Sequence, residues 1–203
     1  MAASIPHHPD HERLLRRGVA LEVTTLAWNV AGVVVLAFLA LSARSVALLG
    51  FGLDSLIEIG ASTVVLWELR KVQGDRERRA LALIAASFAA ISLYLAVQST
   101  ADLVAGSHPH HSPGGIAWTG ATAVAMFVLA SAKGRVGRAT GRDVLVHEGR
   151  VTFVDGLLAV AILVGLSLNA LAGWWWADPA STYVIVGYGV RECLSITTTL
   201  RHP

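Results

Sequence analysis

Asp54 and Glu58 stand four residues apart in the apolar stretch LLGFGLDSLIEIGAS, with Ser55 and Ser62 close by. On a helix that spacing stacks both carboxylates on one face. Two acids held so close repel each other, and they settle the conflict by sharing a proton or by binding a cation. Both outcomes are what a proton-coupled cation site requires. The plainer alternative is a buried pair kept neutral by protonation or by hydrogen bonds to serine. A third acid, Asp155, lies near the middle of VHEGRVTFVDGLLAV, where Glu148, Thr152 and Asp155 share a face at spacings of four and three. That face reads as a polar track leading inward from the cytoplasm. Glu148 has a second reading, an ion pair with Arg150 or Lys133 at the level of the lipid headgroups. Glu22 and Asn29 are seven apart on one face of a further apolar stretch, and Asn29 lies deep enough to hydrogen-bond a neighbouring helix. An ionisable group in mid-membrane costs at least about 2.5–3.5 kcal/mol, so acids at such depth are functional candidates by default.

The histidines avoid these apolar centres. His7, His8 and His11 fall in the N-terminal tail, and His108, His110 and His111 form HPHH in a loop between apolar segments. Imidazole at neutral pH binds zinc, nickel or copper, so either cluster could capture or release metal, whereas solvated loop histidines are the plainer reading. Cys193 is the one cysteine, which excludes an intrachain disulfide and any CxxC motif. An intramembrane hydrolase would need a nucleophile with a base in reach. No histidine is expected at membrane depth and no GxSxG elbow is present, so that class is set aside.

The elements that must carry these groups follow from composition. Of 203 residues, 54% are hydrophobic and 15% charged, too apolar for an ordinary soluble domain of this size. Six apolar stretches approach the roughly 20 residues that cross a hydrocarbon core. They lie near 18 to 41, 45 to 67, 79 to 99, 115 to 132, 145 to 171 and 179 to 198. Backbone amides in lipid must be paired within their own segment, so all six are expected to be helices despite their valines and threonines. The expected fold is all-α, a polytopic bundle of six transmembrane helices over 18–198, with tails 1–17 and 199–203 too short to bury a core. The first stretch runs about 24 residues, well past the 7–15 of a signal peptide, and is expected to be a mature helix. Linkers are short and turn-rich: GDRERR, GSHPHHSPGG and KGRVGRATGR.

Orientation comes from the basic residues. Arg13, Arg16 and Arg17 precede the first stretch; Arg70, Lys71, Arg76, Arg78 and Arg79 follow the second; Lys133, Arg135, Arg138, Arg142 and Arg150 follow the fourth. Arg191 and Arg201 sit at the end of the last, and only Arg44 falls on the opposite side. The positive-inside rule then puts both termini in the cytoplasm of a multi-pass cell-membrane protein. That topology also accounts for the pI near 9.0 without a nucleic-acid partner. Trp174, Trp175 and Trp176 fall at the outer interface as an aromatic anchor, and Asp178 beside them is expected to cap the sixth helix.

These residues bear a family resemblance. SVALLGFGLDSLIEIGAS resembles the second helix of the cation diffusion facilitators, and the stretch from Val151 through VTFVDGLLAVAILVGLSLNALAGWWWADPASTYVIVGYGVRE is similar to that family's fifth and sixth helices. The resemblance implies that Asp54, Glu58 and Asp155 form a mid-membrane metal site, most often for zinc, and that the metal is exchanged for protons. It also implies alternating access and a homodimer. Two departures matter. The position four before Asp155, commonly histidine, is Val151, and the second acid is Glu58 where aspartate is usual. A site of carboxylates alone offers only hard oxygen, which shifts preference from zinc toward manganese, iron or other divalent ions such as cobalt, with water, Thr152 or Asn29 completing the shell. The family's cytoplasmic metal-sensing and dimerising domain is not found by residue 203. The expected function is efflux of a divalent cation, the transported substrate, in exchange for protons. The rival is a six-helix membrane scaffold or regulator that does not transport.

Overall fold

A computed structural model describes residues 9–68, 75–141 and 143–201. His7, His8, Arg70, Lys71 and Arg142 lie outside the described residues, as do the side chains of His11, Ser62, Arg76, Arg78, Arg79 and Arg201. Six helices follow in chain order: α1 (Pro9–Ala43), α2 (Val46–Glu68), α3 (Asp75–Ala105), α4 (Pro113–Thr140), α5 (Asp143–Ala172) and α6 (Ala177–Arg201). No strand occurs among the described residues. Each helix coincides with one of the six expected segments, and all but α2, which begins one residue late at Val46, extend beyond theirs at both ends, because apolarity ends before hydrogen bonding does. Residues 133–140 of the stretch expected as the linker KGRVGRATGR, for example, form the last two turns of α4, which stops only where Gly141 takes the left-handed conformation at φ 65°. The other end of α4 is capped by Ser112, whose hydroxyl accepts from the Gly115 amide at 3.1 Å with Pro113 in the first turn.

Among the described residues, four segments are long and apolar enough to cross a membrane: Arg16–Ala43, Ala85–Ala105, Pro113–Thr140 and Glu148–Ala172. Their outward faces carry exposed apolar side chains. On α1, Val34, Phe38 and Leu41 are 69%, 73% and 79% exposed, while Leu36 and Ala40 between them are buried.

α4 packs chiefly on α5 and α3 on α6, the two pairs meet where α5 lies against α6, and α1 lies against α2 and α4. α2 is central, touching α1, α3, α5 and α6. The interior is built from Leu48 and Phe51 of α2, Leu95 of α3, Ile162 and Leu166 of α5 and Ile185 of α6. Small residues set the closest approaches between helices. A methyl group on Gly149 would stand 3.1 Å from the Ala130 carbonyl of α4, and one on Gly165 would stand 2.9 Å from the Ala177 carbonyl of α6.

The α1–α2, α3–α4 and α5–α6 connections gather at one end of the bundle. The His110 amide donates to the Ala43 carbonyl at 2.8 Å, and Asn169 donates to the Pro109 carbonyl at 3.2 Å. Asp178 belongs to this junction, and here the expected role changes. It lies in the first turn of α6 but is wholly buried, and its carboxylate accepts from the Ser45 hydroxyl at 2.5 Å and the Ala47 amide at 3.4 Å. The Ser45 hydroxyl in turn accepts from the Leu48 amide at 3.1 Å. Asp178 therefore caps α2 from across the bundle, pairing the Ala47 amide directly and holding the Ser45 hydroxyl that pairs the Leu48 amide.

Candidate metal centre

α2 brings Asp54 and Glu58 inward and α5 brings Asp155 to meet them. One carboxylate oxygen from each lies within 4.8 Å of the others, and among the described residues this is the one convergent group of three or more potential metal-binding side chains. Asp54 and Asp155 are buried and Glu58 is half-buried. The Glu58 and Asp155 carboxyls are close enough to share a proton. The site sits deep along the helix axes: Asp155 is 12 residues past the start of α5 at Asp143, an axial rise of about 18 Å.

Asn29 of α1 donates its amide to Glu58 Oε2 at 3.0 Å, so it is joined to the cluster as well as packed. Beside it Trp28 stacks on Trp118 of α4 at 5.3 Å and donates to the Thr122 hydroxyl at 3.2 Å. These side chains enclose a cavity of about 10 Å³ against Glu58 and Asp155, room for one water-sized occupant. Two carboxylate oxygens beside it, Glu58 Oε1 and Asp155 Oδ1, are buried and, while both acids are ionised, meet no hydrogen-bond donor. A buried acceptor in that condition costs free energy that a cation or a proton relieves. Three carboxylates from two helices, two of them with a buried oxygen that no donor reaches, suit a divalent cation or protons as alternative occupants.

The other expected contributors distribute differently. Thr152 donates to the Glu148 carbonyl at 2.9 Å and accepts from Lys133 Nζ at 3.2 Å, so its hydroxyl is committed away from the cluster. Glu148 is half-buried and within electrostatic reach of Glu58 and Asp155. Glu22, on the face of Asn29, turns instead to Lys133, whose ammonium donates to Glu22 Oε2 at 3.0 Å. The exposed His108, His110 and His111 stay at the loop end: the His108 ring lies tilted at 39° against Trp175 with centroids 5.3 Å apart, and His110 Nδ1 is 3.5 Å from the Ser42 carbonyl.

Lys133 is the principal residue that sequence reasoning misplaced. Expected at the headgroups, it is instead wholly buried and bridges α1, α4 and α5 through Glu22 and Thr152. Its charge also acts on Asp155. Tyr188 and Glu192 of α6 were missed. Tyr188 is within electrostatic reach of all three clustered acids and Glu192 of Asp54. Their spacing of four is the same signal that exposed Asp54 and Glu58, hidden here because Glu192 follows Arg191 and reads as the end of a span.

No protein-family model matches the sequence, and no curated protein is significantly similar to it.

Proposed function

We propose that the protein is a six-span, multi-pass membrane transporter, with both termini cytoplasmic, that exports a divalent metal cation in exchange for protons through Asp54, Glu58 and Asp155. The observation that carries the reading is the convergence of three carboxyls deep in an apolar bundle with two of their oxygens unsatisfied. α2, at 23 residues, is about 35 Å long, enough to span. α6 has 25 residues and is the most polar of the six, which suits a helix packed against α3, α5 and α2. The resemblance to cation diffusion facilitators supports the same reading, and the basic residues at the ends that carry the termini support the orientation.

In this mechanism the ionised carboxyls hold the cation, with Asn29 steadying Glu58 through its amide. Protons arriving from outside neutralise the same oxygens and release the ion, and the protonated carboxyls return without it. Oxygen-only ligation favours manganese or iron over zinc. The test is uptake of manganese, iron, cobalt and zinc into proteoliposomes under an imposed pH gradient. Saturable flux of one ion, abolished in Asp54→Asn and Asp155→Asn proteins that keep their helical signature, is the expected result. Normal flux in both variants would sink the site, and absence of flux from folded wild-type protein would favour the non-transporting scaffold.

A further inference from the structure

On the half of the bundle that carries the termini, α1 and α4 part to leave an open groove of about 510 Å³. Leu14 and Leu21 of α1 and Ala132 and Val136 of α4 line it together with one arginine from each helix, Arg17 and Arg135. Both arginines are exposed, and among the described residues neither is paired with a carboxylate. The combination is specific in its demands: apolar walls ask for hydrocarbon, and two guanidinia from different helices ask for an anion that can accept planar, bidentate hydrogen bonds. The groove also opens at the end of segments apolar enough to cross a membrane, where headgroups would lie.

We infer that this groove is a binding site for one anionic phospholipid, with an acyl chain along the α1–α4 walls and the headgroup phosphate held between Arg17 and Arg135. The inference rests on the membrane placement in the proposed function and not on its metal chemistry. A basic pocket between transmembrane helices on the cytoplasmic side is the physical setting in which anionic headgroups are retained. A bound lipid here would bridge α1 to the α4–α5 hairpin, next to the Glu22–Lys133 ion pair that joins α1 to α4 from inside.

The experiment is native mass spectrometry of the purified full chain in detergent, titrated with phosphatidylglycerol or with phosphatidylcholine of identical acyl chains. One phosphatidylglycerol is expected to bind in preference to phosphatidylcholine. Binding should weaken about thirtyfold in Arg17→Gln/Arg135→Gln, the effect of removing two cations from the headgroup. Ala132→Leu, which fills the groove and keeps both arginines, should also displace the lipid, whereas Arg44→Gln at the opposite end should not. Soluble glycerol phosphate should compete poorly, because it lacks the chain. Equal retention of phosphatidylcholine, unchanged affinity in the double arginine variant or in Ala132→Leu, or full competition by glycerol phosphate would each overturn the inference. Since Arg17 and Arg135 are exposed, the variants should keep wild-type helicity, and a transport defect in Asp54→Asn would leave lipid binding untouched.

Discussion

Replacing Lys133 by methionine is expected to destabilise the protein more than any exposed substitution. The lysine side chain is 1% exposed and its ion-pair partner Glu22 25%, so water cannot take over when the ammonium is removed. Removing one partner of a fully buried pair typically costs about 3–5 kcal/mol. Glu22 keeps some access to solvent, which places the loss at the lower end, about 3 kcal/mol, including about 1 kcal/mol for the hydrogen bond to Thr152. The Glu22 Oε1 oxygen already lacks a partner, so the variant would leave both of its carboxylate oxygens unsatisfied. Glu22→Gln in the same background removes the stranded charge and should restore about 2 kcal/mol. Unfolding titrations with sodium dodecyl sulfate in mixed micelles measure all four proteins of this double-mutant cycle. Because Glu22→Gln alone also costs stability by leaving the buried Lys133 ammonium unpaired, the coupling energy is at least about 2 kcal/mol, well clear of the roughly 0.3–0.5 kcal/mol within which independent sites add. Additive single effects, or a Lys133→Met loss below about 1 kcal/mol, would refute the bridge.

Asp178→Ala should cost about 1–2 kcal/mol in the same titration, since it removes the acceptor of the Ser45 hydroxyl and the Ala47 amide. A change within about 0.5 kcal/mol would show that α2 does not depend on its cap from α6. Gly149→Val should cost about 1–3 kcal/mol by forcing α5 away from the α4 backbone, whereas Gly60→Ala, with nothing within 4 Å, should be neutral or slightly stabilising. Equal effects from the two would show that α4 and α5 do not pack closely at Gly149.

Much of this was legible in the sequence because lipid makes charge expensive. Asp54, Glu58 and Asp155 stood out by depth alone, and a period of four was enough to put two of them on one face. What spacing within a helix cannot supply is the partner on another helix. Nothing in α1 says that Asn29 meets Glu58 while Glu22, two turns away, meets Lys133. Lys133 was misread for a related reason. It follows the last apolar residues of its stretch, so it resembles the first basic residue of a loop. The helix nevertheless continues to Thr140, and Gly134 and Gly137 are both buried against neighbours. Asp178 misled in the same way: its place in the first turn of α6 suggested a local cap, but burial directs it to α2.

The charges left unbalanced in the interior give the proposed exchange its physical basis. Lys133 and Glu22 cancel, +1 against −1, so their ion pair lends no net charge to the cluster. Asp54, Glu58 and Asp155 together would carry −3 if ionised, with ligand atoms no more than 4.8 Å apart. At an effective dielectric of about 20, each pair at that distance repels by about 3.5 kcal/mol. Such a cluster cannot remain bare: it holds protons, or a divalent cation that brings −3 to −1, and binding one displaces the other. Asn29 sharpens this choice, because its amide donates to Glu58 and therefore favours the ionised form that a metal needs. A leucine at position 29 would remove that bias without touching a carboxylate, so calorimetric titration with manganese should show weaker binding while all three acids remain in place. Unchanged affinity in that variant would mean that the Asn29 amide does not favour the ionised Glu58.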